Sequence, residues 1–555
     1  MLRDDIAQLV ARALKKAQRK NDLPKFEIPF IPMERPKQAE HGDFATPICL
    51  QLARHARMAP REIAQKVIKR LAETDYLGRV EIAGPGYINF ALKEGWVARQ
   101  VEAILSAGET FGNLDIGRGK RVQVEYISAN PTGSLTIGSG RNAVLGDGLA
   151  NVLAAAGYEV QREYYVNDAG TQMVKFGETI YARYAQALGR DEPLPEGGYP
   201  GEELVERGKE IAAEVGERYL EMPRDKALPI LRDLGLEKML TSIRHDCERL
   251  DIHYDRWFSE RSLYGEGYFD RIMNILRQGN HLYEKDGAVW FNAKALGGDK
   301  DEVVIRSNGQ PGYFASDIAY HYHKFVERGF DWVIDVWGAD HQGHVPRMKA
   351  MMRALDLDPD RLTLLIYQLV TILRGGQPVR MGKRLGTVIS LAEVLDEIGP
   401  DAVRFFLLSR SADSQMELDL ELAKQQSNEN PVYYVQYAHA RIASILRHAA
   451  EVSVEVKDGD VSLLAHPSEL ALIRKMLQLP EVIEAAALQL SPHHLTYYAQ
   501  DLAAAFHVFY RDCRVVSTDP ADASITQARL KLSLAAKTVL ARVLRLMGMT
   551  APEQM

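Results

Sequence analysis

The sequence predicts an α/β protein in which a parallel-sheet domain sits between an N-terminal α+β module and a C-terminal all-α bundle. Three observations predict it. Residues 121–147, RVQVEYISANPTGSLTIGSGRNAVLGD, pass from a β-branched strand through a glycine-punctuated turn into an amphipathic helix, the order in which parallel α/β sheets are built. Sheet-like runs resume at GYFASDIAY and DWVIDVWGADH, and from Asp401 onward the chain reads as helix after helix. Its 555 residues, 46% of them hydrophobic, are too many for one core.

Taken in order, residues 1–112 form the N-terminal module, opening on the amphipathic MLRDDIAQLVARALKKAQRK and closing on the strand-like EIAGPGYINFAL and a short helical stretch. A boundary near Gly112 to Lys120 leads into the sheet domain, residues 113–400. A Pro/Gly cluster from Pro193 to Gly201 and the charged helices after it mark an insertion at about 190–300. The helical bundle occupies residues 401–555, with a polar loop at about 452–466. Cys49, Cys247 and Cys513 show no paired spacing, so neither a disulfide framework nor a structural metal is expected. The N-terminus lacks the apolar core of a signal peptide and no run approaches membrane-spanning length, so a cytoplasmic protein away from membranes is expected. A net charge of −7 argues against indiscriminate nucleic-acid binding, DNA included. The ends are nevertheless basic, and Lys531, Lys537 and Arg542 lie in a stretch without acids, suited either to a polyanion or to a solvated helix face.

Four constellations carry chemistry. Gly138 and Gly140 open a helix where the backbone N–H groups and the helix dipole favour a phosphate, as in Rossmann-like sheets. Gly138 to Ala143 also fits the dinucleotide pattern GxGxxG/A, with Glu163 placed as a ribose acid, which would make the chain an oxidoreductase. Against that, Asn130 to Leu135 intervene between strand and glycines. A second phosphate-type site, Arg380-Met381-Gly382-Lys383-Arg384, also lies far downstream, its clustered cations suited to a triphosphate. Third, Tyr313 to Asp317 and Trp337 to His341 fall where open sheets bind ligands. Asp317 and Asp340 there suit a cationic substrate, or else are buried N-caps. Fourth, Tyr433, Tyr437 and Arg441 share a helical face able to stack single-stranded bases, unless the tyrosines are core.

The ordered set resembles the class I aminoacyl-tRNA synthetases, specifically the arginyl family. SANPTG with TIGSGR stands where the family has its His-Ile-Gly-His signature, YYVNDAG follows, and RMGKR stands for the Lys-Met-Ser-Lys-Ser loop. DAVRF, YYVQYAHARI, FYRDCRVV and APEQM resemble the helical anticodon-binding domain, and HGDFATPICLQLA with GPGYINF the additional N-terminal domain that touches the tRNA corner. The resemblance implies an arginine-tRNA ligase that makes arginyl-adenylate from L-arginine and ATP, with Mg2+ as the ATP counterion, and charges tRNA(Arg). It further implies dependence of activation on bound tRNA, and a monomer. By the same carry-over, Lys383, Thr136 and Ser139 are the catalytic positions, and Gly138, Gly140, His341, Arg380 and Met381 join Lys383 around ATP. Glu125, Asn130, Tyr313, Asp317 and Asp340 line the arginine pocket, and Tyr433, Tyr437, Arg441 and Met555 meet tRNA, with Lys531, Lys537 and Arg542 assigned to the tRNA surface on their charge. Both signature histidines are replaced, by Thr136 and Ser139, and Arg380, Gly382 and Arg384 replace Lys, Ser and Ser. Those departures keep a non-catalytic tRNA-binding or regulatory paralogue as the alternative.

Overall fold

The computed structural model describes residues 1–265, 267–379, 389–452, 454 and 459–555. At the N-terminus, helix Leu2–Arg19 buries Ile6, Leu9, Val10, Ala13, Leu14 and Ala17, a stripe at three- and four-residue spacing. It belongs to a module whose three-stranded antiparallel sheet has Tyr87–Leu92 between Phe44–Thr46 and Leu77–Ala83.

The central sheet is parallel throughout. Its strands are β1 (Arg121–Glu125), β2 (Glu159–Val166), β3 (Arg256–Ser259), β4 (Trp332–Gly338) and β5 (Leu362–Tyr367), in the spatial order β5-β4-β1-β2-β3. Chain order reverses on either side of β1, so β1 and β4 part their connections at their C-terminal ends, where open sheets form a crevice. The helix after β1, α1 (Ile137–Ala155), is not the amphipathic helix expected. It is buried on nearly every side, because it is covered by helix Pro400–Leu408 and the C-terminal bundle as well as by the sheet. Gly146 lets it approach: a Cβ there would fall 2.3 Å from the Tyr126 ring.

Three other expectations change. GYFASDIAY is not sheet but helix, α2 (Tyr313–Tyr322), in which aromatic residues pack into the core on a helical face. The charged helices Glu202–Val215 and Arg224–Arg249 do interrupt the sheet, but β3 then returns to it, pairing Glu163–Val166 in parallel with Arg256–Ser259. The expected insertion at about 190–300 therefore contains one strand of the central sheet; four residues are too few to show a period. Finally, Met416–Asp419 is a strand paired in parallel with Val370–Arg374, so the chain beyond Asp401 is not wholly helical. Before it come α3 (Leu391–Ile398), and after it α4 (Pro431–Glu451) and the closing α5 (Ala523–Leu546).

Buried arginines join these parts. Arg404 gives Nε to the Met547 carbonyl and Nη1 to the Leu250 carbonyl, both at 2.6 Å, and pairs Nη2 with Asp147 of α1. Charge also joins the two ends of the chain: Arg3 pairs with Glu484 at 2.8 Å, Arg35 with Glu481 at 2.7 Å, and Asp43 with Arg474 at 2.7 Å.

Candidate active site

A cleft of about 1110 Å3 opens at the C-terminal ends of β1 and β4, bordered by α2 and the start of α1. The chain leaves β1 through Ile127 and Ser128, both left-handed with φ of 63° and 43°. A β-branched residue in that region stores strain of about 1 to 3 kcal/mol, here at the cleft wall. Ser128 is held by the Tyr165 N–H, which donates to its Oγ at 3.0 Å, and by Asn167, which donates to its carbonyl at 3.0 Å. Asn142 of α1 bridges the opening, accepting from the Ile127 N–H at 2.7 Å and donating to the Val336 carbonyl at 2.8 Å.

Of the residues read from the sequence, Glu125, Asn130, Ser139, Tyr313, Asp317, Asp340 and His341 all line this one cleft, although they span 217 positions of sequence from 125 to 341. Asn130 and Tyr313 are exposed at the mouth, where the Tyr313 hydroxyl lies 3.5 Å from that of Thr171. Neither aspartate is a helix cap: Gly312 precedes α2, and Asp340 is exposed, with His341 Nε2 3.5 Å from its Oδ2. Asp317 is half-buried and its carboxylate has no hydrogen-bond or ion-pair partner among the described residues. Burial is the main cause pushing its carboxyl up to about 6, with His321 and Arg347 pulling the other way.

Two acids that the sequence reading missed complete the floor, and a base lies buried beneath it. Glu260 is buried, accepts from Ser316 Oγ at 2.8 Å, and is pushed up by burial to about 7. Lys324 and Asp335 are buried against Glu125, Lys324 Nζ donating to Glu125 Oε2 at 2.6 Å and to Asp335 Oδ1 at 2.9 Å. Glu125 lines the cleft with one of its oxygens already engaged.

The glycine turn divides its labour differently from expectation. Thr136 is the N-cap of α1, its Oγ1 accepting from the Ser139 N–H at 3.3 Å. It also forms an antiparallel bridge with Ser390, while the Leu391 N–H donates to the Leu135 carbonyl at 2.7 Å. Gly138 is open, the nearest atom to a Cβ being Thr136 Oγ1 at 3.5 Å. Gly140 is not: a Cβ would fall 2.8 Å from Leu391, so that glycine admits the close approach of α3. Arg380, Met381, Gly382, Lys383 and Arg384 lie outside the described residues. Thr136→Ala is expected to lower stability by about 1 kcal/mol through the lost cap, with Thr136→Ser retaining most of it, as urea unfolding would measure.

At the far end, the Tyr433 and Tyr437 rings stack with centroids 5.7 Å apart and planes at 14°. The Arg441 guanidinium stands over Tyr437 at 5.2 Å and over Tyr510 at 5.6 Å, beside a cavity of about 450 Å3. These faces are partly exposed rather than core, and Met555 is exposed beyond them. The basic stretch of α5 does not form the free patch expected. Lys531 pairs with Glu102 at 2.5 Å, Lys537 with Glu553 at 2.6 Å, and Arg542 donates to Asn113 at 2.7 Å, because the helix packs against the N-terminal module and the chain end. Neutralising the three together is therefore expected to cost roughly 1 to 2 kcal/mol of stability, read as a lowered Tm, with little change in the salt slope of tRNA binding.

Residues 4–92 match the family model for the arginyl tRNA synthetase N terminal domain, residues 100–196 and 205–435 that for the class I (R) tRNA synthetase catalytic domain, and residues 435–555 the DALR anticodon binding domain. An arginine–tRNA ligase of Dehalococcoides mccartyi is 50% identical over 554 residues, covering 100% of this chain and 99% of its own. One from Heliobacterium modesticaldum is 48% identical, again covering 100% of this chain and 99% of its own. The solved arginyl-tRNA synthetase of Thermus thermophilus shares the fold at a TM-score of 0.77 and 24% identity, each chain covered in full. With all three modules matched in order and half the residues shared end to end, the chain belongs to the arginyl-tRNA synthetase family.

Proposed function

We propose that the cleft activates L-arginine and that the enzyme transfers it to tRNA(Arg), with Asp317 selecting the guanidinium. The observation that carries this reading is a half-buried carboxylate lining the cleft with no partner of its own among the described residues. A guanidinium presents fixed, paired donors that a planar carboxylate accepts two at a time, which repays the desolvation that raised the Asp317 pKa. Glu260 supplies a second acceptor on the same floor.

The arginine carboxylate oxygen attacks the α-phosphorus of ATP, forming a phosphoryl–oxygen bond and expelling pyrophosphate. A ribose hydroxyl of the terminal adenosine then attacks the acyl carbon, and AMP leaves. No protein nucleophile is needed; the chain's part is position and charge. Gly138 and the Ser139 hydroxyl at the helix start would face the nucleotide, with His341 across the cleft and Lys383 supplying charge to the phosphates. The described residues contain no cluster of three or more His, Cys, Asp or Glu side chains that could hold a metal, so the phosphates would supply most ligands of an accompanying Mg2+. Tyr433, Tyr437, Arg441 and Met555 would meet tRNA. A cytoplasmic monomer completes the reading; no helix among the described residues is long and apolar enough to cross a membrane.

Arginine-dependent exchange of pyrophosphate into ATP, run with and without tRNA(Arg), tests the proposal. Exchange with arginine and not lysine, stimulated by tRNA, is the expected result. No exchange under either condition, with tRNA still bound, would instead establish a non-catalytic tRNA-binding protein. Acid should act through Asp317: protonation removes the partner of the guanidinium, so kcat/KM for arginine is expected to fall as pH drops through about 6.

A further inference from the structure

Lys324 is wholly buried beneath the cleft floor, in the π-helical turn His323–Glu327 that extends α2. A widened turn of this kind changes which residue faces the sheet; such turns are rare and frequently lie at functional sites. Here it delivers an ammonium group between Glu125 of β1 and Asp335 of β4, with the Tyr320 ring 4.1 Å away on its other side. Asp335 is fully engaged, Oδ1 by Lys324 and Oδ2 by His321 Nε2 at 2.9 Å. Glu125 is engaged on Oε2 alone; Oε1 has no hydrogen-bond partner among the described residues, and Glu125 lines the cleft.

A buried ammonium is costly to desolvate, and a fold that needed only to fill this space would do better with an apolar side chain. We propose that Lys324 is a positioning residue for substrate recognition: it keeps Glu125 ionised and turned so that its free oxygen meets one of the two cationic groups of arginine, while Asp317 takes the other. The proposal rests on the reading of the cleft as an arginine site. Without Lys324, Glu125 and Asp335 would be two carboxylates sharing one buried space, and one of them would hold a proton at neutral pH. Burial pushes the Glu125 carboxyl above its usual range and Lys324 is the strongest influence drawing it back. The groups facing Glu125 are Lys324, His321, Tyr320 and Asp317 from α2 and its extension, Asp335 from β4, and Tyr165 from β2. Of these only Lys324 gives it a charged hydrogen bond.

The test compares Glu125→Gln, Lys324→Met and the double variant in pyrophosphate exchange from about pH 5 to pH 9 with saturating tRNA, with melting curves on each. Lys324→Met is expected to raise KM for arginine about tenfold or more, leave KM for ATP within about twofold, and move the acid limb of kcat/KM for arginine up by about one pH unit or more. In the Glu125→Gln background the same substitution should add under about twofold, since the residue through which it acts is already neutral. An unmoved acid limb, with arginine and ATP use reduced alike, would make Lys324 merely structural and overturn the proposal. Should Lys324→Met not fold, Asp335→Asn replaces it: the ammonium is then left to Glu125 alone, and the acid limb should move down; no movement overturns the proposal equally. If Glu125→Gln alone leaves arginine use unchanged, the assignment of Glu125 to the arginine site is what fails.

Discussion

Asp317→Asn is expected to weaken arginine use by at least about 2 kcal/mol in kcat/KM, roughly thirtyfold, while KM for ATP stays within about twofold. Asparagine keeps the shape of the side chain but replaces a charge-assisted pair of acceptors with one acceptor and an NH2 that meets the donors of a guanidinium head on. The same substitution should not destabilise the protein. In the folded state the Asp317 carboxyl titrates at about 6, above the usual value for an unfolded aspartate, so the folded state holds the proton more tightly and ionisation weakens the fold as pH rises through that range. Removing the charge at neutral pH should therefore leave Tm unchanged or raise it. Exchange rates against arginine concentration, paired with melting curves at neutral pH, check both halves. Undiminished use of arginine would remove Asp317 from the pocket.

Lys383→Ala is expected to lower adenylation about a hundredfold or more with tRNA affinity nearly intact, the pattern of a contact made only as charge shifts among the phosphates. Lys383 itself lies outside the described residues, but both ends of its segment are anchored. Upstream, Asp419 accepts from the Gly375 and Gly376 N–H groups at 3.2 and 2.8 Å, in a turn where both glycines are left-handed. Downstream, Ser390 and Leu391 are tied to Thr136 and Leu135 at the glycine turn. Single-turnover formation of adenylate, with filter binding of tRNA, distinguishes the outcomes. Lost tRNA binding with activation intact would make the segment a nucleic-acid clamp, and Arg380 or Arg384 would be the reason for any smaller loss.

What the sequence showed well was local. The strand at 121–125, the helix that follows the glycine turn and the helical face of Tyr433, Tyr437 and Arg441 each follow from a period or a turn within one window of chain. What it hid depends on partners brought together by folding. Glu260 and Lys324 sit in runs, FSERS and HYHKF, that look like surface, and only folding buries them, Glu260 where the end of β3 meets α2 and Lys324 where β1 and β4 meet the extension of α2. Lys531, Lys537 and Arg542 carry the charge that suggested a polyanion, but composition cannot show that Glu102, Glu553 and Asn113 are waiting for it. Gly140 was legible as a required glycine, yet whether the close approach comes from a ligand or from Leu391 is decided in space. Tyr313 to Tyr322 misled because its aromatic residues have strand propensity, which tertiary packing overrode.

The charged contacts between residues 1–112 and the last helices connect positions 429 to 481 apart in the chain. During synthesis the N-terminal module leaves the ribosome first and its partners last; at about 5 to 20 residues per second the interval is roughly 20 to 100 seconds. Throughout it, Arg3, Arg35, Asp43 and Glu102 remain hydrated on an unmated face. The first-made module thus waits without its partners while the middle of the enzyme is still being made, and emergence of the closing helix is the event that fixes where that part of the molecule will sit.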